Sequence, residues 1–90
     1  MGREQRHVVI TNDLGLHLRA AGALVQLAGR FKSDVWILRG PLRVNGKSIM
    51  SVLTLAAPKG CELVVSTEGD DAKEALDAIC LLIEKGFERP

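Results

Sequence analysis

The spacing of apolar residues switches repeatedly between the period of a strand and that of a helix, and this pattern constrains the fold of the chain most strongly. β-Branched or alternating runs predict four short strands, at residues 7–11, 34–39, 42–44 and 61–67. Apolar residues at helical spacing predict three helices, which begin near Leu18, Ser48 and Asp71. The predicted order of elements is therefore β-α-β-β-α-β-α.

Each predicted element has an apolar side, which indicates an α+β fold of two layers. We expect an open-faced β-sandwich, in which three helices cover one face of a four-stranded antiparallel sheet. The residues expected to be buried are Val8, Ile10, Ala21, Leu24, Val25, Leu27, Ala28, Phe31, Val35, Ile37, Ile49, Val52, Leu53, Ala56, Leu63, Val65, Thr67, Ala72, Ala75, Leu76, Ile79 and Ile83. A chain of 90 residues can form one core without a deep cavity, so we expect a single domain over residues 1–90.

Local signals predict where two of the helices end and how the last one begins. Pro58 and Gly60 are expected to end the second helix, and Gly86 to end the third. Asp71 is followed three residues later by Glu74, a pattern close to a capping box with Asp in place of Ser or Thr. We therefore expect the Asp71 side chain to cap the third helix.

The uncovered face of the sheet is expected to carry Val9, Trp36 and Leu38. Scattered apolar residues are normal on a protein surface and need no special explanation. A contiguous patch would instead indicate self-association or the binding of a partner. The sequence leaves both interpretations open.

Composition argues against several classes of protein. A net charge of +1 and 3% aromatic residues argue against a nucleic-acid-binding surface. The apolar runs are too short to span a membrane, and the charged N-terminus lacks the core of a signal peptide, so we expect no membrane insertion. Cys61 and Cys80 fit neither a zinc site nor a C-x-x-C pair, so we expect a cytoplasmic protein with no metal and no cofactor.

Charge is distributed unevenly along the chain. Residues 1–47 contain eight Lys or Arg and three Asp or Glu, whereas residues 48–90 contain four and eight. This asymmetry indicates a region that handles anions in the first half.

His17 lies where the first strand-to-helix loop ends and the first helix begins. The start of a helix offers unpaired N–H groups and a partial positive charge, which together stabilise an anion. A neutral imidazole there can act as a nucleophile, and Arg19 can donate to a phosphate. His17 could therefore accept a phosphoryl group, although a histidine at this position is more often a cap or a surface residue.

Three ordered segments of the chain resemble the HPr family, the histidine-containing phosphocarriers of the bacterial sugar phosphotransferase system. They are Leu14-Gly15-Leu16-His17-x-Arg19, Asn45-Gly46-Lys47-Ser48-Ile49-Met50, and a third made of the two pieces Gly60-Cys61-Glu62-Leu63 and Glu68-Gly69-Asp70-Asp71-Ala72. The resemblance extends from about Val8 to Ile83 and is consistent with the predicted order of elements. It implies that His17 is phosphorylated, on Nδ1, and that Arg19 assists.

The resemblance also implies a regulatory site and a surface for partners. Ser48, 31 residues after His17, matches the serine that an ATP-dependent kinase modifies in many bacteria. An unmodified N-cap serine is also common, so the residue type alone leaves this open. Ile49, Met50 and Leu53 match the apolar patch by which the family contacts its partners.

The function implied by the resemblance is that of a phosphohistidine carrier rather than a free-standing catalyst. Enzyme I would supply the phosphoryl group from phosphoenolpyruvate, and IIA-type domains or regulators would accept it. HPr kinase/phosphorylase is an expected further partner at Ser48. The alternatives are a regulatory interaction module gated at Ser48, with weak or absent relay, and a generic small α+β binding domain.

The chain departs from the family pattern at Leu18, where Ala is usual, and at Ala20, where Pro is usual. Loss of Pro removes a fixed φ from the start of the helix, and Leu adds bulk beside the imidazole. Neither change removes the nucleophile or the backbone donors. We expect them to affect the choice of partner and the rate of transfer.

Overall fold

The computed structural model describes residues 2–88 and contains the predicted elements in the predicted order. The strands are β1 (Gly2–Val9), β2 (Asp34–Arg39), β3 (Leu42–Asn45) and β4 (Glu62–Gly69). The helices are α1 (Leu18–Ala28), α2 (Ile49–Leu53) and α3 (Ala72–Glu84).

The four strands form one antiparallel sheet in the order β1-β4-β2-β3. β4 is central and pairs Val65 with Arg6 of β1 and with Ile37 of β2. β3 lies at the edge of the sheet and pairs with β2, where Ile37 lies opposite Val44. The open-faced sandwich predicted from the apolar pattern is confirmed.

One hydrophobic cluster joins the covered face of the sheet to the helices. Val8, Val35, Ile37, Leu63 and Val65 project into it from the strands and are buried. The buried residues that complete the cluster from outside the strands include Leu24, Val52, Leu55, Leu76, Ile79 and Ile83. Burying a side chain of this size contributes about 1.5–3 kcal/mol, so the sandwich is held chiefly by this layer.

Within residues 2–88, no helix lies over the opposite face of the sheet. Trp36 and Leu38 are half-buried there and Val9 is exposed, as predicted. The Arg43 guanidinium lies over the Trp36 ring, 3.9 Å from its centroid. This contact covers part of the largest apolar side chain on the open face.

β1 is longer than predicted and is displaced toward the N-terminus. It begins at Gly2 rather than at residue 7 and ends at Val9. The charged segment that precedes residue 7 pairs with β4, and Arg6 contacts Asp77 of α3 at 2.7 Å. Pairing with a central strand outweighs the weak strand propensity of these residues.

α2 ends earlier than predicted, at Leu53, well before Pro58 and Gly60. The prediction that Ala56 is buried was wrong, because the chain turns there through a φ of +47° and Ala56 is exposed. Leu55 is buried in its place. A helical pattern extended past the end of α2 cannot anticipate that turn.

α3 begins and ends near the predicted residues, but the capping box was wrong. Asp71 precedes α3 without capping it through its side chain. Its carboxylate instead accepts the backbone N–H groups of Lys32 and Ser33, each at 2.9 Å, and the Ser33 hydroxyl. Gly86, at a φ of +69°, lies directly after the last turn as predicted.

Candidate functional site

His17 is the N-cap residue of α1 and is half-buried. Its backbone is extended, with φ −79° and ψ 179°, and its carbonyl accepts the N–H of Ala21 at 2.8 Å. The imidazole Nδ1 accepts the backbone N–H of Arg19 at 3.1 Å. Because an N–H donates to Nδ1, that nitrogen carries the lone pair and Nε2 carries the proton of the neutral ring.

The electrostatic setting of His17 favours an anion. The first turn of α1 contains no acidic residue, so no carboxylate of its own neutralises the positive end of the helix. Arg19 is exposed in that turn. The positive end of the helix and a nearby cation together are suited to binding a phosphoryl group.

A tight turn before α1 positions His17. The Gly15 N–H donates to the Asn12 carbonyl at 3.1 Å, and Asn12 Nδ2 donates to the Gly15 carbonyl at 2.8 Å. Gly15 has a φ of +66°, and a Cβ there would lie 2.4 Å from the Ala57 carbonyl oxygen. Only glycine satisfies both the backbone conformation and the close approach.

The same turn is bonded to the segment between α2 and β4. The Leu16 N–H donates to the Ala57 carbonyl at 2.8 Å. Lys59 Nζ contacts Asp13 Oδ1 at 2.8 Å, and this hydrogen bond lowers the pKa of Asp13 and raises that of Lys59. Asn12 and Ala57 were not predicted to belong to the site, because their contacts depend on a turn that no local pattern encodes. The glycine at position 15 was the one available signal.

The two departures from the family pattern have different surroundings. Leu18 is 64% exposed beside His17, whereas Ala20 is buried in the core. Leu18 therefore changes the surface around the imidazole, whereas Ala20 packs in the hydrophobic core on the buried side of α1.

Ser48 is the N-cap of α2, as predicted, and its Oγ accepts the Ser51 N–H at 3.4 Å. Met50 is 72% exposed, whereas Ile49 and Leu53 are half-buried and pack against the core. Ile49 and Arg19 line one groove, together with Phe87. The predicted patch of Ile49, Met50 and Leu53 therefore lies next to α1, the helix that His17 caps.

Other candidate groups in residues 2–88 lie apart from this site. His7 contacts Glu62 on the open face of the sheet, with Nδ1 2.9 Å from Oε1. Cys61 and Cys80 are free thiols, and burial raises the pKa of Cys80. No three His, Cys, Asp or Glu side chains within the described range are grouped as a metal site would require. None of the three helices in that range is long and apolar enough to cross a membrane.

Comparison with known proteins identifies the class to which this fold and site belong. A family model described as the PTS HPr component phosphorylation site matches residues 4–85. The phosphocarrier protein HPr of Neisseria meningitidis serogroup A is 45% identical over 83 residues, which cover 92% of this chain and 93% of that protein. The phosphocarrier protein NPr of Shewanella violacea is 38% identical over 88 residues, covering 98% and 97%.

A solved structure agrees with these relatives. The crystal structure of HPr-C-His from Thermoanaerobacter tengcongensis matches with a TM-score of 0.91 and 38% identity, covering 97% of this chain and 98% of that one. The chain therefore belongs to the HPr family of the phosphotransferase system.

Proposed function

We propose that this chain is a phosphoryl carrier of the phosphotransferase system and that His17 is the residue that carries the group. The observation that supports this most strongly is the hydrogen bond from the Arg19 N–H to His17 Nδ1, at 3.1 Å. It leaves a neutral nitrogen, with its lone pair directed at a backbone donor, at the start of a helix. Membership of the HPr family supports the same assignment.

The transfer requires little from the carrier itself. The His17 Nδ1 lone pair forms a bond to phosphorus as the bond from phosphorus to the donor's histidine nitrogen breaks. The donor's nitrogen keeps that electron pair, and no proton has to leave Nδ1. The Arg19 N–H, displaced from the lone pair, then faces a phosphoryl oxygen, and the Arg19 side chain supplies positive charge. Onward transfer is the same exchange in reverse, with a new acceptor.

A half-buried residue without an enclosed pocket can act in this way only if partner proteins complete the site. We propose enzyme I as the donor and IIA-type domains or regulators as acceptors, in contact with Ile49, Met50 and Leu53. The exposed Met50 side chain and the shallow groove beside Ile49 suit a partner surface better than a small substrate. We place the relay in the cytoplasm, where Cys61 and Cys80 would remain reduced.

The carrier function is tested by incubation with phosphoenolpyruvate and the cognate enzyme I, followed by intact-mass measurement. We expect the wild type to gain the mass of one phosphoryl group and His17→Ala to gain none. His7→Ala is the matched control, because His7 lies on the open face of the sheet, and it should be labelled like the wild type. An unshifted wild type, or an equal shift in His17→Ala, would refute the assignment.

Ser48 is proposed as a site of regulatory phosphorylation. Its position as the N-cap of α2 supports this, because a phosphate at a helix N-terminus is favoured by the dipole and does not require unfolding. The added charge beside Met50 would repel an acidic partner. The discriminating assay uses ATP and an HPr kinase, with Ser48→Ala compared with Ser51→Ala. If only Ser48→Ala loses both labelling and the binding of a partner that requires phosphorylated Ser48, while His17→Ala keeps them, regulation rather than relay is the main role.

A further inference from the structure

We propose that Arg39 is a positioning residue for the site at His17, acting through the turn between α2 and β4. The inference rests on the proposed carrier function. Arg39 is the last residue of β2 and is half-buried. It touches neither His17 nor Arg19 in any described contact, so its effect must pass through the turn.

Arg39 holds two consecutive peptide groups at the end of α2. Its Nη1 donates to the Leu55 carbonyl at 2.9 Å and to the Ala56 carbonyl at 3.0 Å. Carbonyls just past the last turn of a helix lack an intrahelical partner. One guanidinium nitrogen therefore satisfies two of them.

The two carbonyls belong to the peptide planes on either side of the Ala56 Cα. Fixing both planes fixes the φ and ψ of Ala56. Its φ of +47° lies in the left-handed region, which a side chain disfavours and which persists only when surrounding contacts hold it. The two hydrogen bonds from Arg39 are such contacts.

The next carbonyl along the chain anchors the turn before His17. Ala57 O accepts the Leu16 N–H at 2.8 Å and lies where a Cβ of residue 15 would be. Leu16 is buried and directly precedes the N-cap histidine. If Ala56 left its positive φ, the Ala57 carbonyl would move. Leu16, which is bonded to that carbonyl and leads the chain into α1, would move with it.

The test compares Arg39→Met with Arg39→Met/Ala56→Gly. In Arg39→Met we expect the Leu16 amide proton to exchange with solvent about tenfold faster relative to that of Ile37, which lies in the core of the sheet. We expect kcat for phosphorylation of His17 to fall about tenfold, with a smaller change in KM. Adding Ala56→Gly should restore most of the Leu16 protection and most of kcat, because glycine adopts the positive φ without the two hydrogen bonds from Arg39.

Arg43→Met is the matched control, since Arg43 stacks on Trp36 on the open face, and it should leave both readouts unchanged. If Arg39→Met does not fold, Arg39→Gln, which keeps one amide donor, should show a smaller shift in the same direction. Unchanged Leu16 exchange, or no recovery with Ala56→Gly, would overturn the proposal. If the wild type is not labelled at His17, the carrier function fails, but Leu16 exchange still decides the positioning role.

Discussion

At the scale of single residues, the site depends on a glycine that precedes the histidine. Gly15 combines a left-handed backbone with an approach to Ala57 that leaves no room for a methyl group. This contact and the hydrogen bond of His17 itself both fix the position of the candidate histidine. A sequence pattern can suggest that a glycine belongs to the site without revealing what lies against it.

We expect Gly15→Ala to destabilise the fold by at least about 2 kcal/mol more than Gly40→Ala, and also to slow phosphorylation. Gly40 is a matched control: its φ is +55°, but a Cβ there would meet nothing within 4 Å. The shared cost of a positive φ cancels, and the difference reports the clash with Ala57. Urea unfolding of both variants measures it, and equal losses would show that the close approach is unimportant.

At the scale of elements, Asp71 ties the start of α3 to the loop before β2. The hydrogen bond from the Ser33 hydroxyl, with those from the backbone N–H groups of Lys32 and Ser33, holds the carboxylate in its charged form and lowers its pKa from 3.8 to about 2. A group whose pKa is lower in the folded state stabilises that state above its unfolded pKa. This contribution is therefore complete above about pH 5 and is lost as the pH falls through 3.8 toward 2.

We expect Asp71→Asn to be less stable than the wild type at pH 6, and the difference to shrink as the pH approaches 2. Unfolding by urea across this range measures the difference. Asp70→Asn is the control, because the exposed Asp70 side chain makes no hydrogen bond or ion pair within residues 2–88. A difference for Asp71→Asn that stays constant with pH would contradict the role of the charge.

The limits of prediction from sequence also appear at this scale. The order of elements and the buried faces could be predicted because apolar periodicity encodes them, as for Val35 and Ile37 on β2. The role of Asp71 could not, because a local capping signal competes with donors 38 and 39 residues away that only the fold brings close. The predictions of where α2 ends and of a buried Ala56 were wrong for the same reason, since Arg39 stabilises that turn from another element.

In the candidate site, too, features encoded by the local sequence could be predicted, and long-range contacts could not. His17, Arg19 and Ser48 could be chosen from the sequence because chemistry-bearing residues stand at the starts of helices and resemble family motifs. The contacts of Leu16 and Gly15 with Ala57 are long-range and were not predictable. The same holds for Lys47, whose Nζ donates to the Phe31 carbonyl at 2.7 Å rather than facing solvent.

At the scale of the whole molecule, the helices lie on one side of the sheet and leave the other open. The proposed partner surface belongs to the helical side, and the apolar residues Val9, Trp36 and Leu38 lie on the open side. A single hydrophobic cluster links the two layers, which supports the proposal that residues 1–90 form one domain. The two surfaces can therefore be altered independently.

We expect Met50→Ser to raise the KM of enzyme I for this carrier about fivefold while kcat changes little. The reason is that an exposed apolar contact is lost equally from the encounter complex and the transition state. Val9→Ser is the matched control: Val9 is a 45% exposed hydrophobic residue on the open face, and Met50 is 72% exposed on α2. Steady-state phosphorylation kinetics compare them. A similar rise in KM for Val9→Ser would mean that the open face takes part in recognition.

The hydrogen bond between the Arg19 amide and His17 has a consequence for the thermodynamics of the proposed relay. That N–H caps the unphosphorylated imidazole. In the proposed transfer it bonds a phosphoryl oxygen instead, so phosphorylation and dephosphorylation each exchange one favourable interaction for another. A deep pocket with many hydrogen bonds to the phosphoryl group would stabilise the phosphorylated form too strongly for onward transfer. If His17 carries the group as proposed, this exchange keeps the phosphorylated and unphosphorylated forms close in free energy, and we expect transfer between the carrier and its partners to be reversible.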